Sequence, residues 1–321
     1  MKTICVAGAG GFVGHHLCKR LKNEGNYVIG VDLKYPEYEQ TSADQFHTWD
    51  LREYNSCVAA TYHVDEVYQL AADMGGISYI TSNLASIARN NVLINVNMLE
   101  AARVNKVKKY LYTSSACVYA HDKQTDANVT PLKEEDAYPA MPEPGYGWEK
   151  LFSEEMCRYF RRDNGLNTKI VRFHNVYGPL GTWDGGKEKS PAALCRKIAS
   201  TREPYESIEI WGDGQQTRSY MYIDDCLEGL IRLMASDYND PLNLGTEELV
   251  SINQLAGIVS QIAGKPINLT HNLSAPTGVR GRNSDNTRLR RVLGWEPSVK
   301  LRDGLVPTYK WIEQQVIARN G

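Results

Sequence analysis

Three glycines at equal intervals constrain this chain more than any other feature. Gly8, Gly11 and Gly14 form G-x-x-G-x-x-G directly after an apolar run, Ile4 to Ala7, and at the start of a helical pattern. Glycine permits a tight turn there and lets the backbone approach a pyrophosphate. The helix N-terminus adds free N–H groups and the positive end of its dipole. Asp32 closes a second apolar run 18 residues after Gly14. A carboxylate at that place receives a ribose 2′-hydroxyl and repels a 2′-phosphate. The pattern predicts a dinucleotide site for NAD rather than NADP, a preference that nearby Lys34 weakens slightly.

Apolar runs at Ile4 to Ala7, Tyr27 to Val31, Glu66 to Ala71 and Lys109 to Thr113 read as buried strands. Amphipathic segments such as Val13 to Glu24 and Ile87 to Val104 lie between them. This alternation predicts an α/β fold, a Rossmann-type doubly wound parallel sheet with helices on both faces. Pro131 to Pro144 is Pro-rich and acidic, a loop before a helix that starts near Tyr146. Gly178 to Pro191 is glycine-rich without periodicity and reads as a long loop, often a functional element. Helical patterns return at Ile252 to Ala263 and Leu301 to Ile317. The expected division is an NAD-binding domain over residues 1–175, with a returning strand near 241–246. A smaller, partly interleaved C-terminal α/β substrate domain covers residues 176–321.

Charge narrows the class. Lys plus Arg is 36 and Asp plus Glu is 38, a net charge of −2, which argues against nucleic-acid binding through a broad basic surface. No run approaches the ~20 apolar residues of a membrane helix. The opening MKTICVAGAGGFVG reads as strand and turn rather than as a leader. The seven cysteines are odd in number and form no C-x-x-C, which points to a reducing, cytoplasmic setting. The histidines show no metal-ligand spacing, and His174 is expected to make a structural hydrogen bond.

Tyr146 and Lys150 form Y-x-x-x-K on one face of a helix. A nearby ammonium favours the phenolate, which can take a proton from an alcohol while hydride leaves the carbon. Ser114 and Ser115, at the end of the fifth strand, are expected to hydrogen-bond the same alcohol.

With these residues assembled, the chain resembles the extended short-chain dehydrogenase/reductase family over nearly its whole length. The resemblance is carried by Gly8 to Gly14, Asp50-Leu51, Leu70-Ala71-Ala72, Thr113 to Ser115, Tyr146 with Lys150, and RFHNVYGP from Arg172. It continues through WGDGQQTRSYMYIDD from Trp211 and VRGRNSDNTRLRRVLGW from Val279. It implies nucleotide-sugar chemistry, with Phe12, Asp50, Leu51, Leu70, Ala71, Ala72, Tyr146 and Lys150 also at the cofactor. It implies that Arg218 and Arg280 hold the nucleotide diphosphate and that Asn175 lies near the substrate phosphates. Guanidinium suits phosphate oxygens.

The shared first step oxidises the sugar C4 to a ketone, which acidifies C3 and C5. A 4,6-dehydratase normally carries an Asp-Glu pair where this chain has Ala116-Cys117. A 4-epimerase needs no further base, and a 3,5-epimerase needs an acid and a base on opposite ring faces. Cys117, two residues after Ser115 at a strand end, is a candidate base. Lys189, on the glycine-rich loop, could reach the other face. The segments AADMGG, SSACVY, FHNVYGPLGTW, GGKEKSPAA and GVRGRNSDN resemble the members that epimerise at C3 and C5. That resemblance implies a GDP-sugar substrate, Cys117 and Lys189 as the acid/base pair, and Tyr146 and Lys150 for oxidation and re-reduction. It places Gly75 and Gly76 close to the sugar, lets Lys197 and Arg282 help hold it, and implies a homodimer through Ile87 to Val104 and Tyr146 to Arg162. Asp184, Ile77 to Ser86 and Pro131 to Pro144 depart from the pattern. GDP-mannose (giving GDP-L-galactose and GDP-L-gulose), a GDP-heptose, one-carbon epimerisation, a hydride-only 4-epimerase or reductase, and a non-catalytic NAD-binding module all remain open here.

Overall fold

The computed structural model describes residues 1–320. Its first part runs β1 (Thr3–Ala7), α1 (Phe12–Asn23), β2 (Tyr27–Asp32), β3 (Gln45–Thr48), α2 (Tyr54–Ala60) and β4 (Glu66–Gln69). It continues with α3 (Ile77–Ser82), α4 (Leu84–Val104), β5 (Lys109–Ser115), α5 (Tyr146–Asn164) and β6 (Thr168–Phe173). Then come β7 (Asn175–Tyr177), α6 (Ser190–Ala199), β8 (Glu206–Trp211), β9 (Thr217–Tyr222), α7 (Ile223–Ala235) and β10 (Pro241–Leu244). The chain ends with β11 (Leu249–Ser251), α8 (Ile252–Ala263), β12 (Ile267–Asn272), β13 (Gly281–Arg282), α9 (Thr287–Leu293) and α10 (Leu301–Asn320).

Seven parallel strands form the main sheet in the order β10-β6-β5-β4-β1-β2-β3. The order reverses between β1 and β4, and a crevice opens at that switch point beyond the strand ends. Alternation along β1 explains why both faces are covered. Ile4 and Val6 pack with Leu17 and Leu21 of α1 and with Leu230 of α7, while Cys5 and Ala7 pack with Met98 of α4. A third core joins α6, α8 and α10 over β8 and β9. A smaller sheet, β11-β9-β13 with β7 on β9, lies beside it. Among the described residues no helix is long and apolar enough to cross a membrane.

Element boundaries differ from the sequence reading for local reasons. The fourth strand stops at Gln69 because the Gln69 side chain captures both polar groups of Ala71, accepting from its N–H and donating to its carbonyl. β5 runs on to Ser115, paired with Phe173 of β6. The long helix begins at Leu84, preceded by the short α3. β3 is a polar edge strand that hydrophobic patterning does not reveal.

Candidate active site

The site grows from the β1–α1 turn. Gly8 has φ +85°, and a Cβ there would lie 2.8 Å from the Ala71 nitrogen across the crevice. A Cβ on Gly14 would lie 2.0 Å from the Gly8 carbonyl oxygen. Gly11 caps α1 without a side chain, and the first turn holds no acidic residue. Asp32 accepts from the Gly10 N–H at 2.9 Å and the Leu33 N–H at 2.6 Å, so its carboxylate is pinned at the end of β2. A cleft over Gly10 and Gly11 is walled by Phe12, His15, Lys34 and Tyr38. This cradle of bare backbone beside a fixed carboxylate fits a dinucleotide. Leu51 is buried, and Asp50 is gripped by the Arg52 guanidinium, with 2.6 Å as the shortest contact. Leu70 donates to the Ala7 carbonyl, so Leu70, Ala71 and Ala72 line the same crevice edge.

At the end of β5, Ser115 caps a single 3-10 turn, Ala116–Val118, by accepting from the Cys117 N–H at 3.2 Å. Cys117 is half-buried, whereas the other six cysteines are buried. Arg282 of β13 reaches it, with Nη1 donating to Sγ at 3.5 Å, and Nη2 donates to Glu143 at 2.5 Å. Tyr146 opens α5 beside them. Lys150 is buried, donates to the Thr113 carbonyl at 3.3 Å, and sits 3.7 Å from Glu149 and 5.4 Å from the Tyr146 ring centre.

One electrostatic expectation is corrected here. The Tyr146 phenol is pushed well up, not down. Burial is the largest cause, Cys117, Glu149 and Glu143 add to it, and Ser115 opposes it. The Cys117 thiol is also raised, by burial and then Glu143, which together outweigh Arg282 and Ser115. The Lys189 amine moves the other way, lowered by burial and Arg282 and raised by Cys117. A second correction concerns Ser114. Its hydroxyl faces away and donates to Glu154 at 2.5 Å, within a buried Glu154–Arg172 pair.

Lys189 closes the long loop just before α6. Gly76 donates to the Lys187 carbonyl at 3.1 Å, and a Cβ on Gly76 would meet the Glu188 carbonyl oxygen at 3.0 Å. The Gly75-Gly76 segment is therefore the seat of that loop. Asp184, which breaks the expected pattern, pairs with Arg196 and with Arg319 of α10.

The structure gathers Ser115, Cys117, Tyr146, Lys150, Lys189, Arg218 and Arg282 around one centre. Arg218 is aimed by the Thr217, Thr277 and Val279 carbonyls, and burial lowers it to about 10. Asn175 donates to the Ser219 carbonyl between β7 and β9. Lys197 donates to the Glu209 carbonyl on β8, and Arg280 pairs with Asp213 at the surface, so neither amine nor guanidinium is turned to Cys117. His174 bonds Asn243 at 3.2 Å, and burial lowers it to about 3. Sequence reasoning missed Glu143 and Gln124. Glu143 lies three residues before Tyr146, and that adjacency was the available signal.

Residues 4–245 match the NAD dependent epimerase/dehydratase family. This chain belongs to that family. NAD is its cofactor, in keeping with the glycine cradle and Asp32. "GDP-mannose 3,5-epimerase 1" of Oryza sativa subsp. indica is 49% identical over 315 residues, covering 98% of this chain and 82% of the relative. The UDP-glucose 4-epimerase of Thermotoga maritima, solved with UDP-glucose, superposes with a TM-score of 0.88 at 26% identity, covering 98% of this chain and 99% of that one. The UDP-glucuronic acid 4-epimerase of Bacillus cereus, solved with UDP-glucuronic acid and NAD, gives 0.81 at 27% identity, over 98% and 99%. Like these family members, this chain pairs a doubly wound sheet with a second, smaller layer.

Proposed function

We propose that this chain is a GDP-mannose 3,5-epimerase. The observation that carries the reading is that Cys117 and Lys189 act on each other electrostatically beside the Tyr146–Lys150 pair, in a chain 49% identical to the rice relative. NAD, when bound, supplies reversible acceptance of a hydride from C4. Gly8, Gly11, Phe12, Gly14, Asp32, Asp50, Leu51, Leu70, Ala71 and Ala72 hold it. Residues 1–175 with β10 form the cofactor half, and residues 176–321 mainly bind the sugar nucleotide. Arg218 holds its diphosphate, Asn175 lies near the phosphates, and Gly75, Gly76 and Arg282 border the sugar; Arg280 at the diphosphate and Lys197 at the sugar would first have to leave Asp213 and the Glu209 carbonyl.

Tyr146 takes the C4 hydroxyl proton, with Ser115 sharing that hydrogen bond, and returns it at the end. The Lys150 ammonium, fixed by Thr113 and Glu149, is the cation beside which the phenolate forms. Once C4 is a ketone, one of Cys117 and Lys189 removes the C5 proton, and the C–H electron pair moves onto the C4 oxygen as an enolate. The other protonates C5 from the opposite face, and the cycle repeats at C3. Burial raises the thiol and lowers the amine, so each group is pushed toward its neutral form at this centre. The exposed Trp148, Phe152 and Tyr159 on α5 support a homodimer through α4 and α5, and the free thiols support a reducing, cytoplasmic setting.

The test is incubation with GDP-mannose in D2O and mass analysis of the recovered nucleotide sugar. One or two deuterons are expected with the native enzyme, because hydride moved to and from the cofactor carries no solvent label. Cys117→Ala is expected to lower incorporation by about 10²–10⁴-fold, and Tyr146→Phe to stop reduced-cofactor formation. Epimerisation without label, or full activity in Cys117→Ala, refutes the assignment.

A further inference from the structure

Arg282 is a buried cation with three directed contacts. Nε donates to Gln124 Oε1 at 2.6 Å, Nη1 to Cys117 Sγ at 3.5 Å, and Nη2 to Glu143 Oε1 at 2.5 Å. Gln124 is itself fully buried and bonded to the Tyr119 and Ala120 carbonyls, so it fixes the fork's direction. Glu143 also holds the cysteine's main chain, because its N–H donates to the Cys117 carbonyl at 3.0 Å. A Cβ on Gly147 would stand 2.3 Å from that same carbonyl oxygen, so the first turn of α5 is shaped to seat it. Residues 143–147 therefore grip Cys117 by its backbone and, through Arg282, by its sulfur.

The sulfur and the Glu143 carboxylate compete for one guanidinium. We infer that Glu143 and Arg282 are an opposed pair of positioning residues for Cys117. Arg282 stabilises the deprotonated sulfur, and Glu143 withholds the guanidinium to keep the proton in place. The inference rests on the acid/base reading of Cys117. Other charged or titratable groups facing the thiol are Tyr146 from α5, Lys189 from the loop before α6 and Arg218 from β9; none is shared in this way. The directions agree: Glu143 raises the thiol and Arg282 lowers it. Glu143 itself is held below its ordinary value, against burial, by Arg282 and by its contacts with Cys117 and Arg218. The pair would decide which of Cys117 and Lys189 starts the cycle with the proton.

Alkylation of Cys117 by iodoacetamide reads this directly in the NAD-loaded protein without sugar. The thiolate sulfur displaces iodide, an S–C bond forms, and the thiol proton passes to solvent. The other six cysteines are buried, and Cys117→Ala gives the blank. Rate is measured against pH by mass. Glu143→Gln is expected to lower the midpoint by about one pH unit, a roughly tenfold faster reaction at a fixed pH below it. Arg282→Gln is expected to raise it, and Glu143→Asp to restore the native midpoint. A merely structural pair would move both midpoints the same way or neither, and either result overturns the inference. Should Arg282→Gln not fold, the Glu143→Gln shift and its reversal in Glu143→Asp decide alone. Shifted midpoints without solvent label in the sugar would leave the pair standing and sink the epimerase reading. Label without shifted midpoints would do the reverse.

Discussion

At the cofactor turn the chain is held mainly by backbone pairing with backbone, Gly8 donating to the Val31 carbonyl at 2.8 Å and Gly11 to the Gly8 carbonyl at 3.1 Å, with the Asp32 carboxylate accepting from Gly10. Around Cys117 the decisive contacts come from side chains on other segments: Arg282 from β13, Glu143 from the loop before α5 and Lys189 from the loop before α6. The first region recognises a cofactor by leaving side chains out. The second does chemistry by bringing side chains in. Errors should therefore differ in kind. A single added methyl ruins the turn, while the acid/base centre loses function by degrees as its supports are removed.

Among variants that leave the acid/base side chains in place, the largest effect expected is from Gly14→Ala. Its Cβ would overlap the Gly8 carbonyl oxygen at 2.0 Å, a backbone atom that cannot swing aside. The turn must open, and NAD affinity measured by calorimetry should fall by at least about 100-fold, roughly 2.7 kcal/mol. Native affinity in this variant would break the comparison, because the bare backbone would then not be what holds the cofactor.

The same contrast explains what was legible before the structure. Gly8 to Gly14 and Asp32 are local in sequence, and their spacing alone carries geometry. Cys117, Lys189, Tyr146 and Lys150 were visible because each sits in a distinctive segment. Glu143 was not, since its partner Arg282 is 139 residues away and its own loop reads as a connector. The sign of the Tyr146 shift was also hidden. A motif shows a lysine four residues on, but not that the phenol is buried among Glu149, Glu143 and Cys117. In the fold, apolar runs marked the buried strands, whereas β3, exposed at both ends, and the short strands of the second sheet lack that signature.

Arg196→Ala sharpens the second half of the comparison. Arg196 ties the Lys189 loop to α6 through the Trp183 carbonyl at 3.1 Å, Glu188 at 2.8 Å and Asp184 at 3.3 Å. Losing it loosens the loop without touching β1 or α1. Displacement of a catalytic group by ~1 Å can cost up to about 10²-fold, so a partial loosening should lower kcat for label incorporation by about tenfold. NAD affinity should stay native. Weaker NAD binding would show that the two regions are coupled through the loop, whose Gly178 and Gly181 pack against Phe12.

The smallest effect comes from the cap of α8, whose side chain faces the helix rather than either region, and it separates loss of stability from loss of function. Ser251 caps α8 reciprocally, accepting from the Gln254 N–H at 3.1 Å while Gln254 accepts from the Ser251 N–H at 2.8 Å. Ser251→Ala removes one half of that box and should cost about 1 kcal/mol in denaturant unfolding. The third core beneath α8 still packs through Leu255 and Val259, so the site geometry has no reason to change. NAD affinity and label incorporation should both remain native. If either falls with stability alone, the Gly14→Ala and Arg196→Ala results would report general loosening of the fold, and the division between a backbone-made site and a side-chain-made one would fail.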